Sequence, residues 1–543
     1  MKNLNKTTRI ILSVIIGTVL TALAYYFMLP PINVFSTGFW TFLILVICFY
    51  GLPLGAVGGL GDMGKGTSKL KVNKVFLIIA AVPVAVLVLG GIISSTFFNA
   101  YSYAEVIEVQ QADFSEDMPE ADVVTNISLM DTASASILGN RELGALSDVV
   151  SQYVLSLDYN QINYKGTPKK VANLEYADFF RWINNSANGV PGYVMVDPVG
   201  NDADYIKFDK AMIYVDSAYF GEDLMRKLRF SYPTKIFSSV NFEVDEEGNP
   251  YYIVSCVRPK VGLFGAMDVS EVIIFNPCDG TSEIYPVDES PSWIDNVYDG
   301  ALACQKYDWY GTLSGGFWNS VIGNRDCKET TDGYGYIVRG DDVWYYTGVT
   351  SVTSDESNIG FIITNARTGE YKYYPVIGAE EYSAMGAAQG EVQEKGYVAS
   401  FPSLINVEGE ATYIMVLKDE NGLVKLYALV NVKNYSIVAT GDSQATAKKA
   451  YLQELVNRGV IKEEEIPTPE TKSADITVTA VRLATVGGET VVYVTAEDGI
   501  VYRGSLASDE SLILITEGQS LTVSYSDTEH ERIRAIASWS EMN

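Results

Sequence analysis

Residues 273–287 run IIFNPCDGTSEIYPV, and residues 362–376 run IITNARTGEYKYYPV. Ile, Ile, Asn, Gly, Tyr, Pro and Val stand at the same offsets in both. The shared residues are those that a strand, a turn and a strand stop require. Gly280 and Gly369 fall where a turn needs positive φ, which costs glycine nothing. Asn276 and Asn365 can accept hydrogen bonds from their own downstream backbone. Pro286 and Pro375 end the second strand. The phrase therefore predicts strand–turn–strand scaffold, and the residues that differ, Pro277-Cys278-Asp279 against Ala366-Arg367-Thr368, are where one copy can carry something of its own.

Outward from the phrase the pattern grows. In the first copy a hairpin pattern, VNFEVDEEGNPYYIVSCV (240–257), precedes it; in the second, GYIVRGDDVWYYTGV (335–349) does. A third, looser copy runs FPSLINVEGEATYIMVL (401–417) and LYALVNVKNYSIVATG (426–441), and GYVMVDPVGNDADYIKF (192–208) is a faint earlier echo. The spacing of the two close copies, roughly 90 residues, is too long for a thin solenoid and predicts duplicated small α+β units. Helical patterns at 220–232, 290–311 and 443–459 supply helices, and Asp131 is the expected N-cap of one or two more over 131–154. QINYKGTPKKVANL (161–174) alternates as a hairpin does, and 174–189 has helical spacing. Residues 101–125 begin with a strand pattern, then turn acidic and irregular, and are expected to be a spacer.

At the N-terminus three apolar runs, Ile10–Leu29, Gly38–Leu60 and Val75–Phe98, contain no Asp, Glu, Lys, Arg or His. Each is long enough to cross a bilayer as a helix of about 20 residues. Lys2, Lys6 and Arg9 precede the first run, and Lys65, Lys69, Lys71 and Lys74 lie between the second and third. Basic loops stay inside. The expectation is a multi-pass protein of the cell membrane with a cytoplasmic N-terminus, lipid contact through residues 10–98, and residues 100–543 extracytoplasmic. The charge split agrees: residues 1–100 carry +6 and the remainder −34. Such an acidic exterior argues against nucleic acid.

After a charged, Pro-containing linker (461–475), residues 476–543 show five strand patterns with a short helical stretch, SDESLILI, between the third and fourth. Strand count and helix position resemble an OB-fold. The repeats at ATYIMVL with ALVNVKNYSIVATG, and at WYYTGV with FIITNARTGEYKYYPV, resemble PepSY-type and related cystatin-like extracytoplasmic domains. That resemblance implies inhibition or binding of other envelope proteins, not catalysis. The whole chain also resembles a group of bacterial membrane proteins with three N-terminal spans and a large outer region, which implies no particular activity.

The expected fold is thus an α-helical membrane anchor (1–99), a spacer and helical α+β segment (100–190), and a first α+β repeat unit (191–311). Second and third units follow (312–460), then the linker and an OB-like β-barrel.

Chemistry-bearing motifs are sparse. His530 is the sole His, so His–His metal sites and His relays are excluded. GLGDMGKGTSK (59–69) has phosphate-loop glycines and Lys65, but Gly66 stands where Ser or Thr must hold magnesium. Arg339-Gly340-Asp341-Asp342 reads as a turn, and Asp245-Glu246-Glu247-Gly248-Asn249 as a hairpin tip without calcium-loop spacing. No G-x-S-x-G occurs. No catalytic, cofactor-binding or metal-binding residue is assigned, and no cofactor is expected.

Cys256, Cys278, Cys304 and Cys327 lie on the expected outside. Cys256–Cys278 and Cys304–Cys327 are the favoured disulfides, each closing a short loop, with reduced buried thiols as the alternative. Tyr307, Trp309, Tyr310, Phe317 and Trp318 form the densest aromatic stretch. Core packing or a subunit contact is the bland reading, and stacking on sugar rings the functional one. The expected function is a non-enzymatic membrane-anchored binding or assembly protein of the envelope, its partner another envelope or membrane protein or a second copy. A ligand-sensing subunit signalling through a membrane partner is the alternative, and an envelope hydrolase the third reading.

Overall fold

The computed structural model describes residues 6–59, 74–121, 129–198, 202–462, 472–486, 489–506, 509–527 and 532–542. His530 and the glycine-rich loop at 60–69 lie outside them. The chain forms two units, Met1–Glu454 and Leu455–Asn543.

The larger unit begins with three apolar helices, Lys6–Met28, Thr37–Gly59 and Lys74–Ile93. Among the described residues one of them, over Ile10–Met28, is long and apolar enough by itself to cross a membrane. Ile78–Ile93 qualifies only together with the short helix Thr96–Ala104, from which it is bent by 55°, and Thr37–Gly51 is a shorter apolar helix.

Four antiparallel sheets follow, each built on four strands taken in chain order. The first runs Asn160–Tyr164, Thr167–Tyr176, Val190–Asp197 and Asp202–Met212. The second runs Phe237–Val244, Pro250–Val261, Gly265–Phe275 and Ser282–Pro286. The third runs Gly335–Arg339, Asp342–Ser351, Ser354–Asn365 and Tyr371–Tyr374. The fourth runs Ser403–Val407, Glu410–Lys418, Val424–Asn431 and Val438–Gly441. A helix precedes each in turn: Thr132–Gly144, Leu224–Ser231, Gly300–Leu313 and Glu381–Glu391.

The quoted phrase is the third strand, turn and fourth strand of the second and third sheets. Its turns close as the sequence predicts. Gly280 (φ +74°) donates to the Asn276 carbonyl, and Gly369 (φ +73°) to that of Asn365. The Asn276 side-chain oxygen accepts from the Cys278 amide at 2.8 Å, and that of Asn365 from the Arg367 and Thr368 amides at 2.9 Å each. The faint echo at 192–208 is the corresponding hairpin of the first sheet.

Burial explains why these strands are apolar on both faces. Tyr252, Val254, Ile273 and Phe275 of the second sheet share one core with the first sheet and with Leu224 and Leu228 of the preceding helix. Ile253, Val272 and Ile274, on the other face, pack on Ile294 and Val297. In the third sheet Ile362 and Val349 face Tyr307 of the preceding helix, and Phe361, Ile363 and Tyr346 face Tyr413 and Met415 of the fourth sheet. The first Ile of the phrase thus faces its own sheet's helix in both copies. Each fully buried aliphatic side chain contributes about 2 kcal/mol.

Three expectations are corrected. Residues 101–125 are not a free spacer as far as Ala121: Val109–Gln111 adds a parallel strand to Tyr371–Tyr374, and Glu120 bridges Asn406 of the fourth sheet. The boundary drawn at 190/191 cuts the first sheet, which spans both sides of it. The helix expected over 290–311 starts only at Gly300, where Asp299 caps it, and it packs on the third sheet rather than closing the unit before it.

The smaller unit holds a closed barrel of Lys472–Val486, Glu489–Ala496, Val501–Ser505, Ser520–Asp527 and Ile533–Glu541. Numbered along the chain, the strands close in the order first, second, third, fifth, fourth, and the third and fifth are parallel. The helical turn Glu510–Leu514 lies between third and fourth and sets Leu512 into the barrel core beside Gly504. The first strand begins at 472, inside the stretch expected to be linker.

Candidate functional site

The first and second sheets leave an open cleft of about 270 Å³ where their edges part. One wall is the Ser156–Asn160 loop with Asn173; the other is Val240–Phe242 with Tyr252, and Asp216 stands beside them. Asp158 and Asp216 keep contact with solvent at the mouth. Although Asp216 is exposed, partial loss of water within the cleft, and then the charges of Glu175, Asp223 and Asp158, raise its carboxyl above the ordinary range. Burial also raises Glu175, against a hydrogen bond from Ser156. Asp223 is compensated by Arg226 at 3.7 Å. Among the described residues Asp158, Glu175 and Asp216 have no ion-pair partner. The Tyr252 ring is 3% exposed, and its hydroxyl has no hydrogen-bond partner. No group of three metal-type ligands converges among the described residues. The arrangement is a polar, negatively charged recess.

Behind the cleft lies a second cluster with a structural role. Glu243, fully buried on the first strand of the second sheet, accepts from the Asn296 amide (2.8 Å), the Asn296 side chain (2.9 Å) and the Asp295 amide (3.0 Å). Asp295 accepts from the Asn163 amide of the first sheet at 2.7 Å, and Tyr345 of the third sheet donates to the Tyr298 carbonyl at 2.9 Å. Loss of water raises both carboxyls, and for Asp295 the neighbouring Glu243 charge adds to it. Pattern reading missed this cluster because its members are distant in sequence, and Glu243 sits at an ordinary alternating strand position.

The expected disulfides are not formed; all four thiols are free. Strand register explains the first pair. Cys256 lies opposite Glu271, whereas Cys278 sits in the turn beyond Phe275 and directs its Sγ to the Lys210 carbonyl at 3.0 Å. Helix geometry explains the second. Cys327 contacts the Thr312 carbonyl at 3.5 Å, two helical turns from Cys304 and so about 12 Å along the axis.

The aromatic stretch does not make one stacking face. Tyr307 is 1% exposed and, with Tyr310, packs on the third sheet. Trp309 points the other way, edge-on to Tyr103 at 5.0 Å. Phe317 lies beyond the helix against Phe97 at 5.0 Å, and Trp318 is 63% exposed. The turn at Arg339–Asp342 is committed inward: Arg339 bonds Asp117 at 2.8 Å and Asp342 bonds Arg367 at 2.7 Å. The tip at Asp245 is a self-contained turn whose carboxylate accepts from the Glu247 and Asn249 amides.

No family model matches this chain, and no curated protein matches it.

Proposed function

We propose that this chain is a membrane-anchored extracytoplasmic binding and assembly protein of the cell envelope, without enzymatic activity. The observation that carries the reading is the join between apolar helices and sheets. The Arg229 guanidinium donates to the Leu29 carbonyl at 2.9 Å, and the Ile32 amide to the Pro233 carbonyl at 2.7 Å. Ser94 Oγ accepts from the amides of Leu263 and Phe264 at 2.8 and 2.9 Å. Helices fixed in this way present the sheets in one orientation, which suits a scaffold. In this reading all three apolar helices cross the membrane, Lys2, Lys6 and Arg9 stay inside, and everything from about residue 100 lies outside. The helix-plus-meander order, met four times, supports duplication of a PepSY- or cystatin-like unit, and the barrel's strand order supports an OB-like domain. Sheet edges and the barrel face offer surfaces for an envelope protein or a second copy.

Two measurements test this. An impermeant thiol reagent on intact cells should label an Asp279→Cys variant and spare Lys69→Cys; the reverse overturns the topology. Crosslinking in intact membranes should give discrete adducts with an envelope protein or a second copy. A chain that remains monomeric and free of adducts overturns the assembly reading.

The acidic cleft favours a second reading, a subunit that senses a small organic cation. Saturable thermal stabilisation by such a cation, lost in Asp216→Asn, would support it.

A further inference from the structure

The helix Thr96–Ala104 has two unlike faces. Ala100, Tyr103 and Ala104 are buried on Val261, Ala266 and Leu313. Phe97, Phe98 and Tyr101 are 47%, 65% and 62% exposed. Beside them the chain leaves the helix Gly300–Leu313, turns at Gly316 (φ +85°) and presents Trp318, Val321 and Ile322, which are 63%, 58% and 73% exposed. The Phe97 ring lies 5.0 Å from Phe317 and 5.8 Å from Trp318, so the two segments form one patch. Gly316 is needed there, because its φ of +85° strains any side chain with a Cβ.

Charge separates this patch from an ordinary acidic surface. No charged residue occurs from Val75 to Ala104 or from Trp309 to Asn324, although residues 101–543 carry −34. The patch also continues the apolar helix Ile78–Ile93, whose 55° bend turns the next helix aside. The bend is held: Tyr103 donates to the Ser94 carbonyl at 2.7 Å while Ser94 Oγ caps the Leu263-Phe264 turn. Exposed aromatic residues on one face of a bent helix, with the other face buried in protein, are the pattern of a segment lying in the plane of a membrane interface.

We infer that Thr96–Ala104 and the Phe317–Ile322 turn lie together in the interfacial layer of the bilayer, so that the outer region rests on lipid instead of standing off from it. The occupant is the glycerol and upper acyl layer of the lipid. The inference rests on the reading that the helix Ile78–Ile93 is itself in the membrane.

The test uses full-length protein in phosphatidylcholine vesicles whose acyl chains are brominated just below the glycerol. Tryptophan emission of the wild type minus that of Trp318→Phe isolates Trp318; Trp40→Phe does the same for the start of the helix Thr37–Gly59. The expected result is loss of most of the Trp318 component in brominated vesicles and little quenching of it by aqueous iodide. If the Trp40 component is quenched and the Trp318 component is not, the anchor stands and the inference falls. If neither is quenched, the anchor reading falls with it. A Trp318 component insensitive to both bromine and iodide means that protein covers the patch, and also overturns the inference.

Discussion

Gly369 is held at φ +73°, and a Cβ there would come within 2.7 Å of the Tyr298 ring. Gly369→Ala should therefore cost about 2 kcal/mol, from left-handed strain plus displacement of that ring, measured as a shift in denaturant midpoint. The Glu243–Asp295 pair makes a pH prediction. Both carboxyls are raised by burial, so the folded state holds protons more tightly than the unfolded chain, whose carboxylates titrate near about 4. Their contribution to stability is greatest at low pH and is lost as pH rises from the ordinary carboxylate range through the raised values. Asp295→Asn removes one of the two charges. It should flatten that decline and leave the protein about 1 kcal/mol more stable than wild type above neutrality, read from denaturation midpoints across pH. An unchanged slope would contradict the shared burial of charge.

Among the elements, the segment Val109–Ala121 is the least expected. It ties the third sheet to the fourth, and Asp117 is its main clamp. Asp117 accepts from Arg339 (2.8 and 3.0 Å), Lys372 (3.1 Å) and Tyr374 (2.5 Å), and the Arg339 bond, above all, holds its carboxyl well below the ordinary range. Asp117→Ala leaves Arg339 and Lys372 without this partner and should cost about 2 kcal/mol, with new protease cleavage between Asp113 and Ala121. Because the carboxyl is depressed, its stabilisation is present above about pH 4 and lost on further acidification, so the wild-type segment should loosen first in acid. Local sequence contains none of this, since the partners lie more than two hundred residues away. The helix Glu381–Glu391 escaped for a different reason. EYSAMGAAQGE buries Glu381, Ala384 and Ala388, a carboxylate and two small residues, so it carries no strong apolar stripe to read.

At the scale of the larger unit, the helices and sheets meet at a few backbone-level joints, and Ser94 makes one of them. Ser94→Ala would leave the amides of Leu263 and Phe264 without their acceptor. The expected loss is about 2 kcal/mol in local opening, seen as faster hydrogen exchange over 261–265 in the full-length protein, with the barrel at 472–541 unaffected. Equal exchange in both would mean that the joint does not hold the turn.

The sequence by itself determined the local grammar. Apolar helices at the N-terminus, the strand–turn–strand phrase with its Asn and Gly, the cap at Asp131, and the five strands and helical turn of the barrel all follow from contacts within a few residues. Tertiary structure decided what depends on register and on distant partners. It kept Cys256 from Cys278 and Cys304 from Cys327, split the aromatic stretch between two faces, closed the acidic cleft's walls, and drew the acidic segment after residue 108 into a sheet. The reason is physical: turns and caps are satisfied by neighbours in the chain, whereas a thiol, a ring or a buried carboxylate takes its environment from whichever strand or helix packs against it.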